Sequence, residues 1–311
     1  MRQEHPSYGM NALCRLFGKS RQAYYERSHY IAVRAMEEEV VLNLVREARK
    51  DFPRMGARKL LIYLKPSFDA KGIRMGRDAF IELLYCNFML VRRVRNKRKT
   101  TLSNHWMRKY PNLTTGYTPS LPDQLWVSDI TYVETGNSGV AYLSLITDAC
   151  SHKVVGWHLS RNLRSSGPLS ALKMALRSLK GKPQSGLIHH SDRGSQYCCG
   201  EYVKLLIRNN IRISMTESGD PRENAVAERM NGILKTEWLY GYKPDSWKTL
   251  IAYTGKIIDL YNHHRPHQSI GYMTPDLIHH TGVKTERKWK NYCRVSNRSQ
   301  REEKRSVEKG T

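Results

Sequence analysis

The hydrophobic periodicity of this chain predicts an α/β fold, a mixed sheet with flanking helices preceded by an all-α region. Three observations carry that expectation. Residues 11–90 read in helical period, a basic turn-rich stretch follows them, and from residue 125 three strand-like segments give way to alternating helix and strand.

Residues 11–25 read as a short helix, a turn at Gly18-Lys19-Ser20, and a second helix carrying Arg21, Gln22, Tyr24 and Tyr25. A helix-turn-helix and an ordinary amphipathic hairpin both fit that spacing. Residues 37–50 place Val40, Val41, Leu44, Val45 and Ala48 on one helical face, with acidic residues at the start and basic ones near the end. Residues 57–65 and 77–90 read as two more helices, separated by the breakers Pro66 and Gly72. Six of the eight residues from 92 to 99 are Arg or Lys, and residues 100–124 are rich in Thr, Pro, Gly and Ser, the composition of a basic linker.

Residues 125–133, 140–146 and 153–159 then read as three strands of an antiparallel meander, with turns at Gly136-Asn137-Ser138-Gly139 and around Ser151. A helix over 168–179, a strand over 186–190, a helix over 195–209, a strand over 211–215 and helices over 224–239 and 246–262 complete the pattern. The tail from about residue 284 is polar and charge-rich, and is expected to be poorly ordered.

The formal charge is 52 − 28 = +24 with a hydrophobic fraction of 40%, so a packed core and a polyanionic partner are both implied. Residues 1–11 are polar and lack the apolar centre of a signal peptide. The apolar runs fall far short of the roughly 20 residues a bilayer needs, so no membrane association is expected. Six scattered cysteines without a CxxC pair suggest neither a zinc site nor a disulfide framework.

Three carboxylates carry the chemistry. Asp129 interrupts a strand where β-branched residues are favoured, Asp192 opens the turn Asp192-Arg193-Gly194-Ser195, and Glu228 follows after 228 − 192 − 1 = 35 intervening residues. An aspartate at 192 could also simply cap the next helix. At about 100° per residue, Asn224, Glu228, Asn231 and Lys235 share a helical face opposite Val226, Met230 and Ile233, a polar stripe expected to look away from the core. Two carboxylates about 4 Å apart repel by about 4 kcal/mol at an effective dielectric near 20. A divalent cation with a preference for oxygen, Mg²⁺ or Mn²⁺, relieves that repulsion.

These residues resemble the catalytic core of bacterial insertion-sequence transposases of the OrfB type, within the retroviral-integrase superfamily. The resemblance spans roughly residues 40–280. It rests on the acidic residues and on His190-Ser191-Asp192-Arg193-Gly194-Ser195-Gln196-Tyr197, Asn224-Ala225-Val226-Ala227-Glu228, Leu234-Lys235-Thr236-Glu237 and Tyr261-Asn262-His263-His264-Arg265-Pro266-His267. It implies a ribonuclease-H-like fold, with Asp129, Asp192 and Glu228 as the metal-binding catalytic triad of DNA cleavage and strand transfer. It further implies that Lys235 meets terminal DNA phosphates. The helical region before the core resembles a helix-turn-helix.

Four segments are expected: a helical DNA-binding region over 1–91, a basic linker over 92–124, an integrase core over 125–280 and a basic tail over 281–311. Arg21, Asn231, Arg92, Arg93, Arg95, Lys97 and Arg98 are the further candidate DNA contacts. Expected partners are terminal repeats, target DNA, further copies of the chain and an OrfA protein, in the cytoplasm on the nucleoid. Structural zinc is not expected, because the His-His-Cys-Cys spacing of retroviral integrases does not occur. A nuclease of the same fold without strand transfer, and a non-catalytic DNA-binding regulator of transposition, are the alternatives. His263, His264 and His267 read as packing and DNA contact rather than a metal cluster, Asp148 as a turn residue, and His190 as a group that could support Asp192.

Overall fold

The computed structural model describes residues 9–92, 107–135, 139–179, 186–217 and 221–283. Arg93, Arg95, Lys97, Arg98, the turn residues 136–138 and the tail from 284 lie outside the described residues.

Strands β1 (Leu125–Glu134), β2 (Val140–Asp148) and β3 (Val154–Ser160) form the expected antiparallel meander. Two short parallel strands, β4 (Ile188–Ser191) and β5 (Arg212–Met215), extend it on the β1 side, giving the order β3-β2-β1-β4-β5. The fold is therefore the mixed sheet of the ribonuclease-H-like class. Period-two alternation divides its side chains between two layers. Trp126, Ile146, Val155 and Ile213 pack with α5 (Ser166–Ser178) and α7 (Gly200–Arg208), whereas Val133, Leu143 and Leu145 pack with α8 (Ala225–Leu234) and α9 (Trp247–His263).

The amino-terminal helices are α1 (Met10–Leu16), α2 (Arg21–Asp51), α3 (Ala57–Ala70) and α4 (Arg77–Cys86). The two helices expected at 21–25 and 37–50 are one helix of 31 residues, capped at its start by the Ser20 side chain. No Gly or Pro lies between them to stop propagation, so the helix runs through. α3 continues past Pro66, where a break was expected. Phe68, 1% exposed, packs edge-on to Phe80 across that turn, and this burial outweighs the cost of an interior proline, about 3 kcal/mol. α4 ends earlier than expected, closed by the Met89 amide on the Leu84 carbonyl with Phe88 at φ 55°.

The helix expected over 195–209 is broken at Cys199, whose ψ of 143° separates a single turn, α6 (Ser195–Cys198), from α7. The helix expected over 224–239 is a composite. A 3₁₀ turn (Pro221–Asn224) leads into α8, and a π turn (Lys235–Leu239) follows it, marked by the Tyr240 amide on the Lys235 carbonyl at 2.7 Å. A last helix, α10 (Pro275–Thr281), was not anticipated, although Thr274 caps it and Pro275 occupies its first turn. Within the stretch read as linker, the Leu113 amide donates to Ser214 Oγ at 2.8 Å and the Met215 amide to the Pro111 carbonyl at 3.3 Å, laying residues 111–113 along β5.

α2, α3 and α4 share one apolar cluster with the sheet: Val41, Val45, Phe52, Leu60 and Phe80 are continuous with Leu143, Met230, Trp238 and Ile257. On the opposite side Gly156 of β3 packs directly against α5. A Cβ there would collide with the Ala171 carbonyl of α5 and lie 2.9 Å from Ala175 Cβ. Gly156→Ala should therefore lower stability by about 1–3 kcal/mol. A thermal unfolding midpoint equal to that of the parent would refute this account of the sheet–helix contact.

Candidate active site

The parallel register of β1 and β4 brings the two aspartates together. Val127 pairs with His190, so the residues two further along stand level: Asp129 in the middle of β1 and Asp192 just past the end of β4. Each is held by a backbone amide close in sequence: Ile130 N–H donates to Asp129 Oδ1 at 2.8 Å, and Gly194 N–H to Asp192 Oδ1 at 3.0 Å. Asp192 is thus an Asx-turn residue, whereas Gly194 is the N-cap of α6, so the capping alternative does not hold. A Cβ at Gly194 would sit 2.9 Å from Asp192 Oδ1, which explains the glycine.

α8 packs across the face of β1 and β2. Asn231 Nδ2 donates to Asp129 Oδ2 at 2.6 Å, and Asn224 Nδ2 to the Ser128 carbonyl at 3.0 Å. This corrects one expectation in part. Asn224 and Asn231 turn toward the core, at 7% and 6% exposed, whereas Glu228 on the same stripe is exposed. A buried carboxylate needs buried donors, so polar residues on one helical face need not all point outward. Glu228, one turn before Asn231, is exposed and adds to the negative field at Asp129. Lys235, at the start of the π turn, is half-buried; burial lowers its pKa, while Asp129 and Glu134 act to raise it.

The Asp129 carboxyl is pushed up to about 7, first by burial and then by the neighbouring charge of Asp192, against the Ile130 and Asn231 hydrogen bonds. Below it, on the other face of β1, Ser128 Oγ lies 3.0 Å from the Tyr197 hydroxyl, and His189 Nε2 lies 2.9 Å from the Tyr202 hydroxyl. These buried polar groups support the strand without reaching the carboxylates. His189 and His190 alternate as expected, and His190 Nδ1 lies 2.8 Å from Ser214 Oγ.

Among the described residues, the three side chains of metal-ligating type whose donor atoms all lie within 4.8 Å of one another are Asp123, Asp148 and His279, not the predicted triad. That group has a structural job. Asp148 Oδ1 accepts from the Ser151 amide and hydroxyl, both at 2.7 Å, and Oδ2 accepts from the Asp123 amide at 2.8 Å, closing the β2–β3 turn that Asp148 was expected to form. Of the histidines in the 261–267 motif, His267 stacks on His152 at 4.7 Å, and His263 Nδ1 lies 3.0 Å from Asp259. Arg265 is 1% exposed and grips Glu237, a residue quoted in the motif without a role. Arg21 and Arg92 are exposed.

Comparison with known proteins bears on what this arrangement belongs to. Two models of the integrase core domain match, over residues 119–221 and 209–275. The uncharacterized 31 kDa protein of insertion element IS600 from Shigella sonnei is 33% identical over 267 residues, covering 85% of this chain and 96% of that protein. The transposase for insertion sequence element IS629 of the same organism is 32% identical over 209 residues, 66% of this chain and 68% of that one. Transposase InsF for insertion sequence IS3fB of Escherichia coli is 28% identical over 274 residues, 86% and 93% of the two chains. Among solved structures, the simian T-cell lymphotropic virus intasome is 19% identical, with a TM-score of 0.45 and coverage of 78% and 77%.

The core-domain matches, spread over both halves of the sheet and the helices that follow, define an integrase-core polynucleotidyl transferase. The chain belongs to the transposases of insertion sequences that carry this core. No helix among the described residues is long and apolar enough to cross a membrane.

The raised Asp129 pKa has a testable sign. A carboxyl whose folded value, about 7, exceeds its ordinary 3.8 binds an extra proton in the folded state between the two. Its contribution to stability is therefore present at low pH, falls as pH rises through that window and is lost above it. In chelator, Asp129→Asn should raise the melting temperature at pH 8 more than at pH 5. An equal change at both pH values would mean that Asp129 is not a buried, repelled carboxyl.

Proposed function

We propose that this chain cleaves DNA at the ends of its element and joins the resulting 3′-hydroxyl to target DNA at one site, with Asp129, Asp192 and Glu228 as its catalytic, metal-binding carboxylates. The observation that carries this reading is the level placement of Asp129 and Asp192 with Asn231 fixing the former, in a chain of the transposase family.

The residues fit a divalent cation. Asp129 is a buried carboxyl destabilised by a second carboxylate, and the donor set is all oxygen, which favours Mg²⁺ or Mn²⁺. When bound, such ions supply activation of the attacking hydroxyl and stabilisation of the leaving oxygen. The chain's own residues do the rest. Asn231 orients Asp129 through Oδ2, the Gly194 amide orients Asp192, and Glu228, exposed on α8, adds its charge to the field at Asp129. Lys235 supplies the cation that meets a terminal phosphate, because it alone of this group carries positive charge toward Asp129.

DNA is held by the +24 charge of the chain. Arg21 on the helix-turn-helix-like α1–α2 unit, and Arg92 with the basic run of Arg93, Arg95, Lys97 and Arg98, are the proposed contacts. Pairing two ends calls for more than one copy, an OrfA protein would contribute further end recognition, and the work takes place on the cytoplasmic nucleoid.

The test is incubation with labelled element ends, Mg²⁺ and target DNA, followed by mapping of joined strands. Asp129→Asn should cut both cleavage and joining by on the order of 10³-fold or more while DNA binding persists. Joining at the parental rate by that variant would sink the assignment, and hydrolysis without joining by the parent would identify a nuclease instead. Binding through about eight phosphates should weaken by roughly 10³ to 10⁵ between about 50 and 200 mM salt. A flat salt response contradicts the proposed footprint.

A further inference from the structure

The π turn carries two sets of contacts. Lys235, its first residue, lies within electrostatic reach of Asp129 and Glu134. The residues after it are gripped by the helical unit. Arg54 Nε donates to the Thr236 carbonyl at 3.0 Å, Trp238 Nε1 to the Asp51 carbonyl at 2.7 Å, and the Arg54 guanidinium lies 5.0 Å from the Tyr240 ring centroid. Trp238 also packs on Phe52, with ring centroids 5.9 Å apart.

Glu237 is the centre of this grip. Arg265 forms a two-pronged pair with it, Nε to Oε2 at 2.7 Å and Nη2 to Oε1 at 2.6 Å, and Lys59 Nζ of α3 reaches Oε1 at 3.0 Å. One carboxylate thus faces two cations. Arg265 is 1% and Glu237 8% exposed, so the arrangement is buried, and loss of the carboxylate would leave uncompensated positive charge. Burial alone would raise the Glu237 pKa, yet the two cations hold it below the ordinary range.

The wider turn has a geometric reason. Seven residues after Asn231, an uninterrupted α-helix would bring Trp238 back within about 20° of Asn231's own face, toward Asp129. The π turn rotates it toward Asp51 and Phe52 while Lys235 stays on the carboxylate side. Widened turns of this kind commonly mark functional positions in helices.

We propose that Glu237 is a positioning residue: clamped by Arg265 and Lys59, it holds the π turn that presents Lys235 to the active site, and through Lys59 the helical unit takes part in that setting. The proposal rests on the reading of Lys235 as a phosphate contact at the strand-transfer centre. Engagement of the helical unit and placement of Lys235 are then one mechanical event, because α3 and the loop bearing Arg265 share a single carboxylate.

The test uses the full chain and begins with a readout that needs no catalysis. Acylation of lysines by an amine-reactive reagent, followed by mass spectrometry, reports the exposure of Lys235, with the exposed Lys173 of α5 as internal control. Lys59→Met should raise Lys235 labelling several-fold, Lys59→Arg should restore it, and Lys173 should not change. In strand joining at saturating DNA, Lys59→Met should lower kcat several-fold with KM little altered, and should cause no further loss when added to Lys235→Ala. Unchanged Lys235 labelling in Lys59→Met, or losses that multiply in the double variant, would overturn the proposal. Should Lys59→Met not fold, Arg54→Gln removes the contact to Thr236 from the same unit and takes its place. A parent that never joins DNA would refute the proposed function, while the labelling result would still decide the positioning role.

Discussion

Two like charges held level by adjacent strands are the constraint around which the core of this protein is arranged. The parallel pairing of β1 with β4 brings Asp129, within β1, beside Asp192, just past the end of β4. The neighbouring groups each answer that constraint. The Ile130 and Gly194 amides and the Asn231 side chain donate to the carboxylates, a glycine at 194 leaves room for Asp192, and Lys235 brings positive charge from the far end of the same helical segment. The site is poised at a cost in stability, which is typical of a centre built to receive a cation.

Much of this was readable from residue order. The sheet was legible because β1, β2 and β3 alternate with period two between turn residues, and because the later strands are short apolar runs bounded by helices. The positions of Asp129 and Asp192 were legible for the same reason: an aspartate in a strand and another at a strand end stand out against their surroundings. The polar stripe of α8 was located correctly and its direction only in part. Periodicity says which residues share a face, but it cannot say that the partner waiting for that face is a carboxylate.

Other features depended on contacts distant in sequence. The join between residues 21–25 and 37–50 left no mark except the lack of a breaker. The π turn is set by partners 28 and 178 residues away, Arg265 and Lys59, which no local pattern reports. α3 survives Pro66 because Phe68 finds Phe80 on α4. In the π turn and in α3 tertiary contacts overrode a local preference, and the override sits where the amino-terminal helices meet one another or the core.

α2 has one further consequence. At 1.5 Å per residue its 31 residues span about 46 Å. Its carboxyl-terminal half is anchored through Val41, Leu42, Val45 and Ala48, while Tyr24, Tyr25, Tyr30 and Ile31 near its start are exposed. The helix is therefore a ruler that keeps α1 at a set distance from the anchored half. Length changes in such a ruler are coupled to rotation: each inserted residue turns α1 by about 100° as it advances it. Only insertions near whole turns would preserve its facing, so at fixed facing the distance between α1 and the anchored half could change only in steps of a helical turn.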